Sequence, residues 1–142
     1  DGNTKNIDFI TIATLGDAQN FGELTDDVNH FAGCSNSIRG LFGGGQNPSN
    51  VNTIAFVTIA TLGNAQDFGD LSQGGNNGKI DYLGACASAT RGLFGGGQTP
   101  TKINTIQFVT ISTTGDTKNF SDLTVARRFP MGFSDVHGGL AQ

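Results

Sequence analysis

The sequence predicts an all-β protein built from repeated four-stranded units. Three observations carry that prediction. The 142 residues include 22 Gly and 11 Phe, no Trp and only 14% charged side chains. Short apolar runs are therefore separated by Gly, Asn, Thr and Ser, the texture of a turn-rich β protein. Arg-Gly-Leu-Phe-Gly-Gly-Gly-Gln stands at residues 39–46 and again, letter for letter, at residues 91–98. Finally, one decapeptide pattern recurs three times along the chain, with offsets of 47 and 52 residues. A chain of this length is one domain's worth. We read it as a single repeat domain over residues 1–142, with units at about 1–46, 47–98 and 99–142.

The chain opens on what each unit uses as its third strand. Ile7-Asp8-Phe9-Ile10-Thr11-Ile12-Ala13-Thr14-Leu15-Gly16 matches the run from Ile54 to Gly63 and again the run from Ile106 to Gly115. In the middle copy Ile54 and Phe56 fall on one face while Val57 and Ile59 fall on the other. A strand apolar on both faces, placed at residues 53–61, belongs to a sheet covered on both sides. Residues 15–19, 62–66 and 114–118 contain Gly-Asp or Gly-Asn and predict hairpin turns. A short fourth strand follows at residues 68–71, in which Phe21, Phe68 and Phe120 precede Glu23, Asp70 and Asp122 and then a leucine.

The first strand is expected at residues 31–35 and the second at 40–44. The second ends in Gly43, Gly44 and Gly45, and its copy ends in Gly95, Gly96 and Gly97. Recurrence at one place in the unit makes these glycines a structural joint, where the chain passes close to neighbours or takes positive φ. A phosphate-binding loop would require Gly-Lys-Ser/Thr, and Gln followed by Asn-Pro or Thr-Pro stands here instead. In the third unit the aligned segment is His137–Gln142, which stops where the triple glycine would come. The longer offset reflects about five extra residues near Ser72–Lys79, rich in Gly and Asn, which belong in a surface loop.

Gly43-Gly44, Gly95-Gly96 and the aromatic of the fourth strand, in a unit of about 50 residues, resemble the kelch repeat of β-propellers. Phe21, Phe68 and Phe120 stand where that family usually has tryptophan, and the family's third-strand tyrosine has no clear counterpart. The narrower wording, Asn-Thr-Ile-x-Phe-Val-Thr-Ile with Thr-Val-Ala-Arg-Arg, looks like repeats in virion-associated proteins of tailed phages of marine bacteria. The resemblance implies a kelch-like propeller of four-stranded blades, in a tail fibre or other surface component of a virion. It implies a non-enzymatic role in binding a host surface or another virion protein; a lectin-like, carbohydrate-binding propeller is the alternative.

Counting strands gives three blade-equivalents per chain, in the order third, fourth, first, second. Three blades are too few to close the usual ring, and unpaired edges invite association. Two chains would supply six blades, each junction completed by one copy's N-terminal hairpin and the other's C-terminal pair. A homodimeric ring, or a piece of a longer chain, is therefore expected.

The formal net charge of −4 argues against a general nucleic-acid binder, which needs clustered Lys and Arg. No apolar run approaches the length of a membrane span, so no membrane insertion is expected, and no signal-peptide pattern opens the chain. No cofactor, metal site or catalytic group is expected. Cys34 and Cys86 share one slot in consecutive units and read as small buried thiols, with Phe133 in the third unit. His30 and His137 have no ligand companions at suitable spacing. Arg39 and Arg91 recur before the second strand and predict ion pairs with Glu23, Asp70 and Asp122.

Recognition is expected in the loops where the units differ, residues 25–30, 72–80 and 124–129. Asn76, Asn77 and Lys79 with Tyr82 offer groups able to hydrogen-bond sugar hydroxyls, and Arg127 and Arg128 add charge. Phe31, Tyr82 and Phe129 could supply stacking surfaces. Expected partners are a second copy, other virion proteins and a host-surface glycan or receptor.

Overall fold

The computed structural model describes residues 5–134, which form an all-β protein of antiparallel sheets. Strands β1 (Asn6–Phe9) and β2 (Gln19–Glu23) pair as a two-stranded sheet. β3 (Ala32–Ser35), β4 (Arg39–Gly43), β5 (Thr53–Thr58) and β6 (Gln66–Asp70) form a four-stranded meander in that order. β7 (Gly84–Ala87) and β8 (Arg91–Gly95) pair with β11 (Thr105–Thr110) and β12 (Lys118–Asp122) in the same arrangement. Between them β9 (Gln98–Thr99) and β10 (Thr101–Lys102) make a small ribbon around Pro100. Each four-stranded sheet thus takes its first two strands in chain order from one sequence unit and its last two from the next.

The expected first, second and fourth strands lie within a residue or two of the observed ones. The third strand is shorter than its apolar run. It ends at Thr58 because Thr61 N–H donates to the Thr58 carbonyl at 3.1 Å, and the same turn recurs at Thr11–Thr14 and Thr110–Thr113. Ile59 therefore leaves the sheet; it is exposed, whereas its counterpart Ile111 is buried. Within β5 the residues Ile54, Ala55, Phe56 and Val57 are buried in succession, so both faces are covered. The Ser72–Lys79 insertion is a loop closed by a single 3-10 turn at Asn76–Gly78. In the third unit Met131–Ser134, which align with β3 and β7, form no strand; the second strand expected at His137–Gln142 lies outside the described residues.

Each third–fourth pair carries the same bulge. The register slips between Ile7 and Asp8, between Ile54 and Ala55, and between Ile106 and Gln107. The extra residue opposite is Phe21, Phe68 or Phe120. A bulge leaves one residue's backbone groups unpaired by the ladder, and the next unit uses them. Gly63 N–H donates to Phe21 O (2.9 Å) and Ala65 N–H to Glu23 O (2.7 Å), while Asn64 Oδ1 accepts from Glu23 N–H (3.1 Å). One unit on, Gly115 N–H donates to Phe68 O (2.7 Å), Thr117 N–H to Asp70 O (2.9 Å), and Asp116 Oδ1 accepts from Asp70 N–H (3.0 Å). The hairpin loop of each unit is thereby stitched to the fourth strand of the unit before it. Gly22 and Gly69 make this approach possible: a methyl group at residue 22 would run into the Gly63 carbonyl, and one at residue 69 would lie 2.5 Å from the Gly115 carbonyl carbon.

The core lies between the two four-stranded sheets. Phe94 and Leu41 are buried, with Ile54, Phe68, Leu71, Ile80 and Ile111 around them. Phe94 packs on Gly43, where a methyl would sit 2.7 Å from the ring. The three bulge aromatics meet the third-strand aromatics edge-on: Phe9–Phe21 at 6.0 Å, Phe56–Phe68 at 5.8 Å and Phe108–Phe120 at 6.0 Å. Such pairs add to simple area burial. Phe21 and Phe68 are 8% and 2% exposed, whereas Phe120 is 49% exposed, because nothing among the described residues covers β12.

The triple glycines are joints with definable geometry. Gly44, Gly45, Gly96 and Gly97 all have positive φ, between 62° and 105°. Gly45 N–H donates to Ile80 O and Gly97 N–H to Arg127 O, both at 2.9 Å, so each joint ties the end of a second strand to the loop opening the next unit.

Candidate functional site

Because Ala32 pairs with Gly43 across β3 and β4, the loop before each first strand and the loop after each second strand emerge at the same end of the sheet. Three equivalent residues mark that end. His30, Tyr82 and Phe129 have φ of 58°, 57° and 56°, left-handed backbone that bulky residues rarely adopt. They are held there by each other: Tyr82 N–H donates to His30 O at 3.0 Å and Phe129 N–H to Tyr82 O at 2.9 Å. Their rings form a column, with centroids 4.2 Å apart for His30–Tyr82 and 4.5 Å for Tyr82–Phe129. Tyr82 is consequently flanked by rings on both sides, so it offers its edge and hydroxyl rather than the open stacking face expected from sequence.

Beside this column lies a polar concavity of about 580 Å³, within the range usual for small-ligand sites. The loop before β7 contributes Asn76, Lys79, Asp81 and Tyr82. The loop after β4 contributes Gln46, Ser49 and Asn50, the β9–β10 ribbon contributes Gln98, Thr99 and Pro100, and the third unit adds Arg128. Asp81 is only 3% exposed; its Oδ1 accepts from Asn50 Nδ2 at 3.0 Å, and the same amide donates to Gln98 O at 3.1 Å. Thr99 is also buried, and its Oγ1 has no hydrogen-bond partner. A buried hydroxyl without a partner is costly unless something else satisfies it. The Arg128 guanidinium sits 5.9 Å from the Tyr82 centroid and 5.6 Å from that of Phe129, within cation–π range.

Four of the residues expected to bind ligand, Asn76, Lys79, Tyr82 and Arg128, are thus brought together. Two are not. Asn77 is exposed within the 3-10 turn, outside the walls. Arg127 occupies the slot of Ile80 and is a brace: its Nε donates to Val125 O at 3.3 Å and its carbonyl receives Gly97 N–H. Phe31 packs edge-on against Phe42 at 6.0 Å. Sequence reasoning missed Asp81, Asn50 and Thr99 altogether. Gln46 and Gln98 had a signal, since each closes the repeated octapeptide, and they occupy matching bridges, Asn29 with Gln46 and Asp81 with Gln98.

The expected pairing of Arg39 and Arg91 with Glu23, Asp70 and Asp122 is not formed among the described residues. Register explains it. Arg39 pairs with Thr58 at one end of β5 while Asp70 pairs with Thr53 at the other, and Arg91 and Asp122 are separated likewise on β11. Each arginine instead covers its diagonal cross-strand neighbour: Arg39 lies 4.6 Å from the Phe56 centroid and Arg91 4.9 Å from that of Phe108. Arg39 Nη1 also donates to Ile111 O in the next sheet at 2.8 Å.

Cys34 and Cys86 are free thiols. Cys86 borders a small apolar cleft of about 130 Å³ with Leu93, Ile106 and Met131. No group of three or more His, Cys, Asp or Glu side chains able to hold a metal ion occurs among the described residues. None of the described helical segments is long and apolar enough to cross a membrane. Compared with known proteins, the chain matches no family model and no curated sequence.

Proposed function

We propose that this chain is a non-enzymatic adhesion module of a phage virion, a tail-fibre or surface component, and that its polar concavity holds a host-surface glycan. The observation that carries the glycan reading is the wall formed by Asn50, Asp81 and Thr99: a buried carboxylate and a half-buried amide already oriented by each other, beside a buried hydroxyl lacking a partner. Sugars present vicinal donors and acceptors, and such fixed polar groups select for them. The virion setting is supported by the resemblance of the repeats, as is a kelch-like propeller; the strand count supports three blade-equivalents per chain, closed into six blades by a second copy. A lectin-like propeller outside any virus draws on the same concavity.

The test is an array of bacterial surface glycans probed with the wild-type protein and with Asn50→Ala. Binding to a defined subset, lost by about tenfold or more in the variant, supports the reading; an array on which nothing is bound overturns it. Antibody labelling of purified virions separates the viral setting from the lectin alternative.

A further inference from the structure

We propose that the glycan held in the concavity is acidic, a sugar carrying a carboxylate; this rests on the glycan reading above and narrows it. The chain has only 8 Lys and Arg residues against 12 acidic ones, yet Lys79 and Arg128 both line this one concavity. Neither makes an ion pair with a carboxylate among the described residues. Arg128 is not demanded by the repeat, since the equivalent positions hold Asn29 and Asp81 under the same backbone pattern. Its guanidinium is instead steadied by the rings of Tyr82 and Phe129, which reduces the entropy lost when its N–H fork engages a ligand.

A planar fork matches a carboxylate with two parallel hydrogen bonds, and Lys79 supplies a second positive charge. Asp81 then limits what kind of anion fits. Its buried carboxylate repels a compact, multiply charged phosphate but accepts from a sugar hydroxyl. One wall therefore suits hydroxyls and the other a single carboxylate, the combination found on uronic and sialic acids.

The experiment compares pairs differing only in that charge: 3′-sialyllactose against lactose, and trigalacturonate against its methyl ester, titrated calorimetrically. The acidic member is expected to bind at least about tenfold more tightly, and Arg128→Gln and Lys79→Gln to bring the affinities of the two members of each pair together. Both side chains are exposed, so the variants retain the fold. Rising ionic strength should narrow the gap. Equal affinity within each pair overturns the acidic-sugar proposal and leaves the glycan reading standing. Failure of every glycan, acidic or neutral, to bind the wild type overturns both. Displacement of the acidic sugar by inorganic phosphate at similar concentration would mean a general anion site and overturns the proposal as well.

Discussion

Cys34 and Cys86 share a slot in successive units, and their environments bear on reactivity more than on bonding. Burial pushes the Cys34 thiol up to about 12, with the neighbouring Cys86 adding to the rise, and burial raises Cys86 too. Since the thiolate is the nucleophile, iodoacetamide at about pH 8 should leave Cys34 unmodified in the native protein and alkylate it fully in denaturant. Rapid native labelling, read by mass spectrometry, would contradict this. Asp70 is shifted in the same direction. Its carboxyl is raised above its ordinary value by desolvation first, then by Asp116 and Asp67. The folded state therefore holds this proton more tightly than the unfolded one. The group's unfavourable contribution is absent at pH below the ordinary carboxylate range and is incurred as pH rises through that range to the raised folded value. Asp70→Asn should accordingly raise the melting temperature relative to wild type at neutral pH, and the difference should shrink toward about pH 3. A variant that is no more stable at neutral pH would refute the assignment.

The recurring element is the stitch between a hairpin loop and the preceding bulged strand. Its tolerance for a side chain decides where it can form. Gly22→Ala and Gly69→Ala force a methyl onto the next unit's backbone and should each cost about 1–3 kcal/mol in urea unfolding. Ser121 is the equivalent position on β12, uncovered and exposed, so Ser121→Ala should change stability by less than about 0.5 kcal/mol. Equal effects at the three positions would show that the stitch contributes nothing. Much at this scale was legible in the sequence: alternation, glycine and Gly-Asp turns are local signals, and they located the strands. The bulges were not legible, because Phe21 and Phe68 look like ordinary strand residues until a neighbouring loop claims their carbonyls. The end of β5 was misread for a related reason, since Ile59 continues the apolar pattern while the chain has already turned.

For the whole molecule, long-range register decided what the sequence concealed. Asp81 and Asn50 are 31 residues apart and Gln98 lies 48 beyond Asn50, yet one amide joins all three; no spacing rule connects them. The arginine–carboxylate expectation failed on the same ground, since recurrence within a unit does not say at which end of a strand a residue lies. Assembly can be argued from the stitch itself. A second copy offering its Gly16–Ala18 loop to β12 would find the carbonyls of Phe120 and Asp122 placed as those of Phe21 and Glu23 are, but would also meet the Ser121 Cβ. Native mass measurement should thus give a dimer looser than the joints inside each chain, and Ser121→Gly should tighten it on the order of tenfold. Monomers in both proteins would end the ring proposal.

The column of His30, Tyr82 and Phe129 separates framework from message. Each ring in a left-handed slot follows a different residue, Asn29, Asp81 or Arg128, of which Asp81 and Arg128 line the polar concavity. A neutral amide, an acid and a base thus each stand before a slot of the same conformation. Evolution can therefore rewrite what this surface distinguishes by exchanging single letters at those sites, leaving the architecture that displays them untouched.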